Sequence, residues 1–151
     1  MLEPMEQKEI VHRDRTARLS WSSAARSGTA KVLCVDDNAS FLTAFSALLE
    51  FAGFSVTATT DPAHGLALAL SAVFDLAILD YHMPGMNGAQ LARKIRQRRQ
   101  GMPLLLLSAN ESVPAADLRL FDRYLAKGGN FQEVLLAVRT SLASEKSLSA
   151  A

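Results

Sequence analysis

Between Lys31 and Ala143 the chain alternates five times between a short strand-like run and a stretch with helical spacing, and this alternation restricts the fold more than any other feature. Val32-Leu33-Cys34-Val35 is uninterrupted apolar sequence, as in a strand buried on both faces. Phe41, Phe45, Leu48, Leu49 and Ala52 then recur at helical spacing, and Gly53 stops that helix. Phe54 to Thr59 alternates and is β-branched, which predicts a second strand. Asp61 caps and Pro62 opens a second helix, with Leu66, Ala69, Leu70 and Val73 expected to face inward. Leu76 to Leu79 is a third buried strand, a Pro84-Gly85 turn leads to a helix over about Ala89 to Arg99, and Leu104 to Leu107 is a fourth strand. A short helix is expected near Pro114 with Ser112 as its cap, then a strand over Arg123 to Ala126. The last helix spans about Phe131 to Ala143, with Leu135, Val138 and Leu142 on one face. Strands and helices in this order form a doubly wound α/β domain, a five-stranded parallel sheet with helices on both faces and right-handed crossovers. Ligands of such sheets bind outside the carboxyl ends of the strands.

The domain is expected to occupy residues 29–144, between a mobile N-terminal tail (1–28) and a C-terminal tail (145–151). In the first 28 residues only Ile10, Val11, Leu19 and Trp21 offer much apolar area, too little to offset the entropy of ordering; a misassigned start would produce the same segment. Sixteen Lys and Arg against fifteen Asp and Glu leave a charge of +1, which argues against nucleic-acid or membrane binding through net charge. The lone Cys34 excludes an internal disulfide and a multi-cysteine metal site. No apolar run is long enough to span a bilayer, and no signal-peptide core is visible, so the cytoplasm is the expected compartment.

Four of the five strand ends carry a polar or charged group: Asp36 and Asp37 after the first, Asp80 after the third, Ser108 after the fourth and Lys127 after the fifth. Two carboxylates about 4 Å apart repel by about 4 kcal/mol at an effective dielectric of about 20. Such a cluster persists with raised pKa values or with a cation, and oxygen ligands with room for water suit Mg²⁺. A hydroxyl and an ammonium beside it suit a phosphoryl group. The chemistry implied is an aspartate nucleophile that accepts a phosphoryl group with metal assistance. Taken singly, each residue has a plainer reading: Asp37 and Asp80 as caps or turn residues, Ser108 as a turn residue, Lys127 as a solvated charge. Their joint occurrence on separate strand ends favours the site. Arg93, Lys94, Arg96, Arg98 and Arg99 form a basic helix end, either a partner surface or a solvated terminus favoured by the helix dipole.

Val32 to Asn38, the stretch Leu79-Asp80-Tyr81-His82-Met83-Pro84-Gly85-Met86-Asn87-Gly88, Leu107-Ser108-Ala109 and Tyr124-Leu125-Ala126-Lys127 together resemble the receiver domain of two-component response regulators. The resemblance covers about Lys31 to Ala143 and implies a flavodoxin-like sheet of order 2-1-3-4-5. It implies that Asp80 is the phosphoacceptor, and that Asp36, Asp37, Asp80 and the backbone carbonyl of His82 hold Mg²⁺. It further implies that Lys127 pairs with the phosphoryl group, that Ser108 turns toward it with Tyr124 following, and that Ala109 leaves the site accessible. It implies a signalling protein rather than an enzyme, with a sensor histidine kinase or histidine phosphotransfer protein as donor. With no output domain after Ala151, the expected type is stand-alone, signalling by protein contact or onward phosphotransfer and binding neither membrane nor nucleic acid directly. A degenerate receiver acting as a scaffold is the first alternative. An aspartyl-phosphate hydrolase is the other, although the adjacent Asp36-Asp37 and the Tyr81-His82 after Asp80 do not fit its Asp-x-Asp pattern. Two departures stand out: Gly128-Gly129 replaces the proline that usually follows the lysine, and the segment from Ser108 to Lys127 is shorter than usual, so the fourth helix should be short or irregular.

Overall fold

The computed structural model describes residues 28–109 and 112–150, with side chains through 144. The expected N-terminal tail, apart from Gly28, lies outside the described residues. In chain order the elements are β1 (Lys31–Val35), α1 (Ala39–Phe51), β2 (Ser55–Thr59), α2 (Pro62–Ser71), β3 (Leu76–Leu79), α3 (Gly88–Arg98), β4 (Leu104–Ser108), α4 (Ala115–Leu118), β5 (Arg123–Ala126) and α5 (Phe131–Ala150). The sheet is parallel throughout, in the order β2-β1-β3-β4-β5.

The continuous apolar strands are explained by a core on each face. Val32, Cys34, Ile78, Leu105 and Leu107 pack with Leu42, Phe45 and Leu49 of α1 and with Leu135, Val138 and Leu142 of α5. Leu33, Val35, Ala77, Leu79, Leu104 and Leu106 point the other way, onto Ala69 of α2 and Leu91, Ala92 and Ile95 of α3. Each fully buried Leu or Ile contributes about 1.5–3 kcal/mol relative to exposure. The register makes the carboxyl ends level: Val35 lies opposite both Thr59 and Leu79, and Ser108 opposite Ala126.

Three expectations need correction. Leu70 in α2 and Val73 just after it are exposed and Leu66 is only half-buried; the inward positions are Ala69, as expected, with Pro62 and Gly65. Small residues allow this helix to lie close to the sheet, and a Cβ at Gly65 would press on the Val35 methyl groups. Ser112 does not cap α4: the cap is Pro114, with no side-chain hydrogen bond. Helix α5 runs through Ala150 rather than stopping near Ala143, into the segment read as a C-terminal tail; residues 144–150 contain neither Gly nor Pro to end it. The short fourth helix was foreseen, and α4 has four residues, none of them buried.

Two of the basic residues at the end of α3 have structural work. Arg96 donates to the carbonyls of Leu120, Gln100 and Met102 and pairs with Asp122 at 3.0 Å. Arg99 donates to the carbonyls of Ala69 and Ala72 at the end of α2, both at 3.1 Å.

Candidate functional site

The backbone ladder continues one residue past the strands, and this sets the site. Asp36 N–H donates to the Thr59 carbonyl (3.2 Å), Asp80 N–H to the Val35 carbonyl (2.9 Å) and Lys127 N–H to the Ser108 carbonyl (3.1 Å). Asp36 and Asp80 therefore leave neighbouring strands at the same level, and Lys127 reaches them from β5, across β4. The loop after Asp80 is folded tightly beneath it. Gly85 takes a φ of +83°, which a side chain would disfavour, and a Cβ at Gly88 would collide with the Asp80 carbonyl oxygen. Gly88 N–H donates to the Tyr81 carbonyl at 2.8 Å, and Asn87 and Gln90 close a reciprocal capping box that starts α3 at this point.

Asp36 and Asp80 are buried, Asp37 is exposed, and the three offer carboxylate oxygens within 4.8 Å of one another. Lys127 Nζ lies 2.6 Å from Asp36 Oδ2 and 3.3 Å from Asp80 Oδ1. The other Asp36 oxygen accepts the Asn38 N–H at 2.9 Å. Asp80 is pushed up from its ordinary 3.8 to about 6: burial penalises its charged form, the Asp36 charge adds to this, Lys127 opposes both, and a hydrogen bond with Asp37 adds a smaller upward push. One ammonium against three carboxylates leaves a net negative cluster of hard oxygen donors, open on the Asp37 side. That donor set fits a divalent cation such as Mg²⁺.

The remaining predicted residues differ in their exposure. Ser108 is buried at the end of β4, and Ala109 beyond it is exposed. Tyr124 is partly exposed on β5, level with Leu106. His82 is exposed on the loop after Asp80, with its ring edge-on to Tyr81 at 4.9 Å.

Two contacts were not read from sequence. Phe41, on the first turn of α1, lies under the ammonium of Lys127, whose Nζ is 4.5 Å from the ring centroid. Its position in the helical stripe marks it only as a core residue. Tyr81, next to Asp80, is buried and its hydroxyl donates to Asp117 Oδ2 of α4 at 2.7 Å, which holds the phenol above its ordinary pKa. Asp117 in turn faces Arg93 of α3 at 3.6 Å. Thirty-six residues separate Tyr81 from Asp117, and no local pattern announces the pair.

The response regulator receiver domain model matches residues 32–139. The chain is 38% identical over 116 residues to the probable transcriptional regulatory protein SilR of Salmonella typhimurium, covering 74% of this chain and 50% of that protein. It is 36% identical over 116 residues to the transcriptional regulatory protein CusR of Escherichia coli K12, covering 74% and 51%. The chain thus spans about half the length of the curated relatives it matches. Among solved structures, the response regulator TrrA of Thermotoga maritima, in complex with Mg²⁺-BeF, superposes with a TM-score of 0.72 at 26% identity, over 75% of this chain and 99% of that one.

Proposed function

The chain belongs to the response regulator receiver family, and on that premise we propose that it accepts a phosphoryl group on Asp80 in a Mg²⁺-dependent reaction. The observation that carries this reading is the Lys127 ammonium bridging Asp36 and Asp80 inside a cluster of three carboxylates at the carboxyl edge of the sheet. Asp36, Asp37, Asp80 and the His82 carbonyl would hold the metal, which when bound neutralises charge on the transferring group. The Asp80 carboxylate attacks phosphorus, its new O–P bond replacing the bond to the donor's leaving group. Lys127 balances the negative charge that the transfer delivers, and Ser108 supplies a hydroxyl from the next strand end. The Gly128-Gly129 loop leaves Lys127 engaged with both carboxylates, which speaks against a degenerate scaffold.

Receiver domains are signalling proteins rather than metabolic enzymes, and a sensor histidine kinase or histidine phosphotransfer protein is the donor on this reading. Output is by protein contact or by onward phosphotransfer to a histidine. Among the described residues no helix is long and apolar enough to cross a membrane. The finer reading, a receiver unattached to any output domain, is tested by the mass of the protein isolated from its source.

Acetyl phosphate with Mg²⁺ tests the site. Intact-mass spectrometry should find one added phosphoryl group on the parent and none on Asp80→Asn. Equal labelling of the two would refute the assignment.

A further inference from the structure

We propose that Phe41 is a positioning residue for the phosphoryl transfer, holding the Lys127 ammonium at the site through a cation–π contact that stands in for a rigid backbone after the lysine. The proposal rests on the reading of Asp80 as phosphoacceptor.

The backbone around Lys127 does little to fix its side chain. Lys127 N–H is tied to Ser108 and Gly129 N–H closes a turn on the Ala126 carbonyl at 3.1 Å, but these bonds hold the main chain and not the lysine stem, Gly128 has open space about it, and neither glycine takes a left-handed φ. A four-carbon stem on such a loop retains rotamer freedom unless something restrains its tip. The carboxylates cannot be the lasting restraint. Asp36 and Asp80 are the groups a cation would take, so each unit of charge that satisfies the cluster weakens their hold on Lys127.

The Phe41 ring differs in kind. It carries no titratable group and binds no hard cation, so its attraction for the ammonium persists whichever ligand the carboxylates hold. The ring is itself held. It stacks on Phe45 at 5.3 Å with 18° between planes, and Phe45 meets Phe131 edge-on at 5.8 Å. These rings come from α1 and α5, which bury Phe45 in the core, so the support is anchored to two long helices rather than to the glycine loop. The Lys127 side chain is only 16% exposed, which places the contact in the partly desolvated regime where cation–π attraction is strongest. The ammonium is thus within contact distance of the ring, of Asp36 and of Asp80 together.

The test uses the full chain with acetyl phosphate and saturating Mg²⁺, read by intact mass. Phe41→Leu, which keeps apolar bulk and loses the ring face, should label Asp80 about tenfold more slowly, the order a desolvated cation–π contact supplies. Phe41→Tyr should restore the rate. Phe41→Leu added to Lys127→Ala should cost nothing further, because the ring acts through the ammonium. Labelling of Phe41→Leu at the parental rate, equal slowing by Phe41→Tyr, or additive loss in the double variant would each overturn the proposal. Nuclear Overhauser contacts between the Phe41 ring and the Lys127 ε-methylene protons of the parent keep the question open to refutation should Phe41→Leu fail to fold. They should survive addition of Mg²⁺, and their loss would count against the ring. Absence of labelling in the parent would instead refute the role of Asp80, and the Overhauser measurement would still decide the contact.

Discussion

Replacing Asp80 by Asn should stabilise the metal-free protein, by an amount that depends on pH in a way fixed by the site. In the folded chain the Asp80 carboxyl is raised from 3.8 to about 6, first by burial and then by the Asp36 charge. The folded state therefore binds the proton more tightly than the unfolded chain, and stability falls as pH rises through this interval. A rise of about two units corresponds to about 3 kcal/mol of cost once the group is ionised in both states. Asn is nearly isosteric and neutral, so it escapes that cost. The gain should be about 3 kcal/mol at pH 8, roughly half of this near pH 5, and should vanish below about pH 3.5, where the carboxyl is protonated in both states. Loss of the 3.3 Å contact with Lys127 offsets little, because Lys127 keeps Asp36 at 2.6 Å. Urea denaturation of both proteins in chelator, at several pH values, measures the difference directly. A variant less stable than the parent at pH 8, or a difference independent of pH, would refute the strained-cluster account.

Mg²⁺ should stabilise the parent by about 2.7 kcal/mol at 100 times its dissociation constant, and Asp37→Asn should remove most of that gain while leaving the metal-free fold as stable or more so; thermal melts with and without metal check both. Lys127→Ala should permit labelling of Asp80 at a slower rate and blunt the conformational response, as followed by intact mass and amide exchange. Tyr81→Phe deletes the hydrogen bond to Asp117, at a cost of about 1 kcal/mol, and should speed amide exchange in residues 115–121 while leaving α2 unchanged. A beryllofluoride mimic should raise protection chiefly within residues 109–131; a larger change in α1 would contradict the output route read from Ser108 and Tyr124.

Most of the site was legible because its residues sit at strand ends. An apolar run of four or five residues fixes where a parallel strand stops, and in a doubly wound sheet the stops are neighbours. Asp36, Asp80 and Lys127 could therefore be brought together before any coordinates, and the structure has them in contact. The errors fall where small residues override hydropathy. In and after α2 the pattern favours Leu70 and Val73 along with Ala69, but of these only Ala69 is buried, and the close approach of Gly65 to Val35 leaves the larger side chains outside. Fading hydropathy predicts an end to α5 near Ala143, but the helix continues through Ala150 because nothing in residues 144–150 breaks it. Phe41 was legible as a core residue and not as a partner of Lys127, since periodicity reports which face of a helix is apolar and not what lies on it.

The contacts around α4 give a physical reason to expect the response to fall in the segment after Ser108. This helix has four residues, no buried side chain and no side-chain cap, so its own hydrogen bonds and packing contribute little. What joins it to the sheet includes Asp117, held by the buried Tyr81 and faced by Arg93. Tyr81 follows Asp80 directly, and its backbone carbonyl is fixed by Gly88 N–H while its hydroxyl holds α4. The loop after Asp80 and the four-residue helix α4 thus share one side chain. A change of charge or geometry at Asp80 acts on the neighbour whose hydroxyl holds Asp117, while Leu118 is the α4 side chain packed on the core, so small differences in free energy there should suffice to alter its order.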